Sequence, residues 1–258
     1  MIIVLPEHVE RLSSLKIPEV WLIPASSAAC AAAEAQYGLL DDRERAKASS
    51  FKRPRDRGTY LVAHVGLRQI LGAYLDLSPA CVAFGREPCP ACSGPHGRPT
   101  VASSPSVHFS LSHAEEMAAV AVALQPVGVD VEAARNIHCA ELISLLHPAE
   151  QSALQTLARE EQEEAVLNCW VRKESYLKGL GVGLAVEPNG VNTGLGDRFS
   201  SVGITPGWSL ASIVAPEGYA AAIALRNVGE SRDMPKRITP RVLDVSSGIA
   251  PALQRLAQ

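Results

Sequence analysis

Two stretches of this chain share one layout. FSLSHAEEMAAVAVAL, residues 109–124, runs from a Ser-Leu strand through a short acidic turn into an Ala-rich strand, and WSLASIVAPEGYAAAIAL, residues 208–225, does the same. Sequence that reads as helices precedes each, so helix, helix, hairpin occurs twice in order. That repetition predicts an α+β fold of two similar subdomains, each a small antiparallel sheet with helices, packed face to face around one cleft. We place the N-terminal lobe at residues 1–125, the C-terminal lobe at 126–228 and a tail at 229–258.

Local patterns fill in the elements. An extended opening runs to about Pro24, and residues 25–51, rich in Ala, Glu, Lys and Arg, read as one or two helices. From Arg57 to Leu75, apolar residues at Leu61, Val62, Val65, Leu71 and Leu75 follow the 3.6 period of an amphipathic helix, which Asp76 to Pro79 stops. Residues 81–100 are dense in Pro, Gly and Cys. Cys81–Arg86 reads as a short strand and CPACSGPHGRP as a loop. Val107–Ser112 alternates polar and apolar, and Met117–Leu124 is continuously apolar, as a buried strand is. After the break at Gln125-Pro126, VGVDVE alternates strictly, with three valines on one face and Gly128, Asp130 and Glu132 on the other. Residues 138–158 and 160–178 read as two helices, the second ending in GLGVG, where glycine supplies a left-handed cap. Polar sequence beyond residue 228, with scattered Pro and Gly, reads as a tail that either drapes on the surface or is partly disordered.

Composition excludes several classes. A 258-residue chain with 47% hydrophobic residues, 20% charged residues and a net charge of -3 is an ordinary globular protein, which disfavours general nucleic-acid binding. The opening MIIVLPEHVERL has an apolar run too short for a secretion signal, and no run approaches the roughly 20 residues of a membrane span. Six cysteines without a secretion signal predict thiols or metal ligands in a reducing cytoplasm, with no membrane association.

Four segments carry chemistry. Asp130 and Glu132 lie side by side on one strand face, a pair that suits magnesium, which takes carboxylate and phosphate oxygens at about 2.0–2.1 Å. The same pair alone also describes a solvated strand edge. In WVRKESYLK, residues 170–178, Glu174 falls on the apolar stripe of Leu167, Trp170, Val171 and Leu177. An i,i+4 pair with Lys178 is worth about 0.3–0.5 kcal/mol, too little to offset the several kcal/mol cost of burying a charge. A cation shared by Asp130, Glu132 and Glu174 offsets it, with Lys178 aimed at phosphate. Ser112 and His113 end the strand of FSLSHA, and Lys47, Lys52, Arg53, Arg55 and Arg57 form a basic run able to hold a compact polyanion. Cys89, Cys92 and His96 offer three zinc ligands where a structural site closes with four, so the loop is read as shaped by Pro and Gly.

GVDVE and WVRKESYLK match (V/I)-G-(V/I)-D-x-E and (F/W)-x-x-K-E-(S/A)-x-x-K, and HGRP at 96–99 and FSLSHA at 109–114 match two secondary motifs. With these, the chain resembles the 4'-phosphopantetheinyl transferases, in particular the two-lobed monomeric type that activates peptide and polyketide synthetases, over roughly residues 35–225. The resemblance implies transfer of the 4'-phosphopantetheine arm of coenzyme A to a serine of an acyl or peptidyl carrier protein, releasing adenosine 3',5'-bisphosphate. It further implies Asp130, Glu132 and Glu174 as magnesium ligands, and Glu174 as base, directly or through a metal-bound water. Lys178, His113 and Ser112 would sit at phosphates and Arg98 near the adenylate. Where relatives carry basic residues for the 3'-phosphate, this chain has Glu44 and Thr59; Lys47 fits, and Arg53 or Arg57 substitutes. Two other classes share parts of this pattern: a magnesium-dependent phosphohydrolase, which would use the carboxylates without a carrier protein, and a zinc-stabilised binding module built on the Cys-His loop.

Overall fold

Gln125 and Pro126 separate two copies of one strand arrangement. A computed structural model describes residues 17–136, 138–199, 203–227 and 234–249. The first copy contains β1 (Glu19–Pro24), three helices α1 (Ser27–Ala35), α2 (Asp42–Ser49) and α3 (Pro54–Leu75), short strands β2 (Phe84–Arg86) and β3 (Pro99–Val101), and a hairpin of β4 (His108–Ala114) and β5 (Met117–Ala123). The second contains β6 (Val127–Ala133), helices α4 (Cys139–Ser144), α5 (Pro148–Gln155) and α6 (Arg159–Leu180), and a hairpin of β7 (Trp208–Ile213) and β8 (Tyr219–Arg226). Two-residue strands β9 (Arg237–Ile238) and β10 (Arg241–Val242) follow.

The sheets run β10-β1-β5-β4-β3-β2 and β6-β8-β7-β9. Their kernels, β1-β5-β4 and β6-β8-β7, are the same: a leading strand pairs antiparallel with the second strand of a later hairpin, and a 22-residue helix lies between. The repeating unit is therefore strand, helices, hairpin, one strand longer than the echo in the sequence. Residues 138–158 form two helices where one was expected, because Pro148 disfavours helical backbone at the residue before it and His147 takes ψ 146 as an N-cap. The predicted helix from Arg57 begins at Pro54, whose ring fits the first turn.

Every residue of β5 is buried, and its two faces enter different cores. Ala118, Val120 and Val122 meet Trp21, Ile23 and α3, whereas Ala119, Ala121 and Ala123 meet Val127, Val129, Val131 and Ile223 of the second sheet. The sheets thus stack through a shared core, which explains the continuous apolar run. On the far side of the second sheet, Leu167 and Val171 of α6 pack on Ala220 and Ala222. Gly128 sets how closely α6 approaches: a Cβ there would lie 1.9 Å from the Ser175 carbonyl oxygen and 2.4 Å from the Gly179 nitrogen.

The segment read as a surface tail departs from that expectation. Leu243 and Val245 are 0% and 1% exposed inside the N-terminal core, β10 runs parallel to β1, and β9 runs parallel to β7. Two-residue strands have no period to detect, so the polar residues around them dominate the sequence signal. Among the described residues, no helix is long and apolar enough to cross a membrane.

Candidate active site

The alternation of VGVDVE turns Asp130 and Glu132 away from the shared core and toward α6. Asp130 is 1% exposed. Its Oδ1 accepts from Ser112 Oγ at 2.7 Å and Lys178 Nζ at 2.5 Å, and Lys178 Nζ also donates to Ser112 Oγ at 2.9 Å. The three residues come from β6, β4 and α6, so this contact lies on the seam between the two copies. A second bond crosses the seam nearby, from the Val129 N–H to Ser110 Oγ at 3.0 Å. The other carboxylate oxygen, Asp130 Oδ2, is buried and, among the described residues, has no hydrogen-bond partner. An unsatisfied buried acceptor costs about 1–3 kcal/mol, and more when charged.

Around it, three carboxylates repel one another. Burial raises the Asp130 carboxyl above the ordinary range, against the opposing pull of Lys178 and Ser112. Glu132 is pushed up to about 7, first by burial and then by Asp130 and Glu174, with Lys178 opposing. Glu174 is raised by burial and by Asp130, again against Lys178. Oxygen-only donors under mutual repulsion, with one oxygen lacking a partner, fit a hard divalent cation. Their oxygens do not close into a tight trio: among the described residues, the group of three donors within 4.8 Å of one another is Cys89, Cys92 and His96. Lys173, inside the same helical motif, points elsewhere; it is fully buried against Glu150 at 2.6 Å and supports the fold.

A cleft of about 660 Å³ opens beside Lys178, with Arg43, His64, Arg86 and Arg98 in its walls and Phe84 and Phe109 as apolar surface. Arg98 donates to Glu87 at 2.5 Å and to the Gly179 carbonyl at 3.0 Å, which anchors it at the end of α6. His113 lies at the exposed end of β4, with the Tyr60 ring edge-on at 6.4 Å. Burial, and then His64, Lys178 and Lys47, lower its pKa. Lys47 is exposed, with Nζ 5.2 Å from the centre of the Phe51 ring, and Arg53 is exposed at the N-cap of α3.

Arg55 and Arg57 of the basic run are engaged elsewhere. Arg57 forms two hydrogen bonds to Glu34 on α1, and Arg55 pairs with Glu115 at 2.5 Å and Glu116 at 3.2 Å. Glu44 and Thr59 are structural. Glu44 accepts from Arg68 Nε at 2.7 Å, meets His64 Nδ1 at 2.9 Å and closes a capping box with Asp41; Thr59 donates to the Glu115 carbonyl at 2.6 Å. Sequence reasoning missed His64, Arg43 and Arg86. His64 stacks on Tyr60 at 4.0 Å, one turn earlier on α3, and that aromatic-histidine i,i+4 pair was the available signal.

A family model described as the 4'-phosphopantetheinyl transferase superfamily matches residues 126–224. The chain is 27% identical over 216 residues to the 4'-phosphopantetheinyl transferase HetI of Nostoc sp., covering 81% of this chain and 88% of that protein. It is 30% identical over 150 residues to a 4'-phosphopantetheinyl transferase of Bacillus subtilis, covering 57% and 66% of the two chains, and 24% identical over 148 residues to the 4'-phosphopantetheinyl transferase Sfp of Bacillus subtilis, covering 57% and 63%.

Proposed function

We propose that this chain, which is similar to the 4'-phosphopantetheinyl transferase superfamily over residues 126–224 and to HetI over most of its length, moves the 4'-phosphopantetheine arm of coenzyme A to a serine hydroxyl of an acyl or peptidyl carrier protein, as a magnesium-dependent monomer of the cytoplasm. The observation that carries the reading is the seam cluster, in which a buried aspartate with one unpartnered oxygen sits beside two further carboxylates, a lysine and a basic cleft. Phosphoryl transfer depends mostly on positioning and charge neutralisation, and this cluster supplies both without a covalent nucleophile.

Each residue then has a task. Lys178, fixed by Asp130 and Ser112, donates to a phosphate oxygen of the pyrophosphate, and His113 lies at the same end of β4 to meet another. Arg98 holds the adenylate end within the cleft. Lys47 and Arg53 face the 3'-phosphate, while Arg57 stays bound to Glu34 on α1 and takes no part in holding it. Glu174 accepts the proton of the incoming serine as the new oxygen–phosphorus bond forms and the bond to the departing adenosine 3',5'-bisphosphate breaks. Asp130, Glu132 and Glu174 would hold the magnesium, whose charge would offset that of the pyrophosphate.

Incubation with coenzyme A, magnesium and an apo carrier protein tests the reading. A mass gain of one phosphopantetheine on the carrier serine is expected. Free phosphopantetheine released equally well without carrier would make the chain a hydrolase, and zinc-dependent folding with no turnover would make it a binding module.

A further inference from the structure

The loop between β2 and β3 holds a cluster that the transfer reaction does not use. Cys89 is 1% exposed, Cys92 and His96 are exposed, and their donor atoms lie within 4.8 Å of one another. Cys92 Sγ and His96 Nε2 are 2.9 Å apart. The backbone is built for the arrangement. The Cys89 N–H donates to the Gly94 carbonyl at 2.8 Å, the Ser93 N–H donates to the Cys89 carbonyl at 2.7 Å, and Ser93 takes φ 59, a left-handed conformation uncommon outside glycine. With zinc–sulfur bonds of about 2.3 Å and zinc–nitrogen bonds of about 2.0–2.1 Å, tetrahedral ligands lie roughly 3.5–3.8 Å apart, so small side-chain shifts convert this trio into a coordination shell.

We propose that Cys89, Cys92 and His96 bind one zinc ion, with water in the fourth position, and that the ion fixes this loop across the junction of the two lobes. Two thiolates and an imidazole form a soft donor set that selects zinc over magnesium. Cys92 and His96 open to solvent, which leaves the fourth position to water. The loop already touches both lobes: Cys89 Sγ lies 3.9 Å from the Val182 carbonyl oxygen, just past α6, and a Cβ on Gly183 would come within 3.9 Å of His96 Nδ1. Gly97 and Arg98 follow directly in the cleft wall, and a Cβ on Gly97 would lie 2.3 Å from the Glu87 carbonyl oxygen, so the loop has little room to shift. Such a site departs from the expectation of a loop shaped by Pro and Gly alone.

The full chain, purified under reductant without chelator and desalted, is to be analysed for metal and then reconstituted with cobalt. One zinc per chain is expected, with a thiolate-to-cobalt charge-transfer band after exchange. Cys92→Ser and His96→Ala should each retain less than about a tenth of the zinc, because each removes a ligand from a three-ligand site. Cys81→Ser, an exposed cysteine outside the cluster, should retain all of it. Removing zinc should speed proteolytic cleavage between residues 89 and 97. Absence of both zinc and the cobalt band after incubation with excess metal overturns the proposal, as does a Cys89–Cys92 disulfide in metal-free protein. None of these readouts depends on turnover, so they stand apart from the transferase reading.

Discussion

At the residue scale, half-buried Glu174 and buried Glu44 are carboxylates with opposite consequences. Glu174 is held above its ordinary range by burial and by Asp130. Glu174→Gln should abolish transfer, lowering kcat by about a hundredfold or more at saturating magnesium, since general bases and metal ligands typically contribute that much. Its melting temperature should hold or rise, because a like charge has left the seam. Retention of more than about a tenth of the wild-type kcat would sink the role. Burial pushes Glu44 up, but hydrogen bonds from His64 and Arg68 outweigh it and leave its pKa lowered. A depressed carboxylate pKa means that the stabilisation is present above the unfolded-state value and is lost as pH falls through the folded-state value. Glu44→Gln should therefore cost about 1–3 kcal/mol near pH 7, a gap that closes as thermal melts are carried below the ordinary carboxylate range. An equal gap at every pH would show that shape, not charge, matters at Glu44. Lys47 tests the cleft: wild type should prefer coenzyme A over its dephospho form in KM, and Lys47→Ala should reduce that preference about tenfold or more. Arg57→Ala should leave the preference standing, because Glu34 already engages that guanidinium. If Arg57→Ala removes it instead, the 3'-phosphate sits further along α3.

At the scale of elements, the site depends on how closely α6 lies against β6. Gly128→Ala would place a methyl group 1.9 Å from the Ser175 carbonyl oxygen, so the helix that carries Glu174 and Lys178 must move away from Asp130. Overpacking of this kind typically costs about 1–3 kcal/mol. We expect a lower melting temperature together with a kcat reduced more than tenfold, because an error of about 1 Å in position can cost a hundredfold in rate. Gly190→Ala, with nothing within 4 Å of the added methyl, is the control and should change neither. A normal kcat in Gly128→Ala would mean that the seam tolerates a displaced helix. This packing was partly legible beforehand. Strict alternation in VGVDVE gives the two faces of β6, and the position of Glu174 on an apolar stripe gives the inward carboxylate. The placement of Ser112 on Asp130 was not legible from pattern, because it depends on the stacking of two sheets whose relative register no local period encodes. The role of Glu44 was hidden for a related reason: only the tertiary fold reveals Arg68 beneath it.

At the scale of the whole molecule, residues 236–245 join the two lobes and then close the first core. The Ser212 N–H donates to the Lys236 carbonyl at 3.0 Å and the Val214 N–H to the Ile238 carbonyl at 2.9 Å, which ties the segment to the second sheet. A few residues on, the Leu243 N–H donates to the Leu22 carbonyl at 2.9 Å, and the Gln36 side-chain amide donates to the Val245 carbonyl at 3.1 Å. Leu243 itself is fully buried beside α3, where a Cβ on Gly66 would already approach it to 3.4 Å. Truncating a leucine in such a place typically costs about 2–5 kcal/mol, the spread reflecting how far the cavity collapses. Leu243→Ala should therefore lower the denaturant midpoint clearly, whereas Val242→Ala, at a position 58% exposed, should barely move it. Because the segment bonds to both sheets, its loosening should also weaken their coupling: the variant should unfold with a smaller apparent m-value, or in two steps when tryptophan fluorescence and circular dichroism are followed together. Trp21 and Trp208 lie in different lobes and report on each. Equal midpoints for the two variants, with coincident transitions by both probes, would show that the segment merely covers a fold that is already complete.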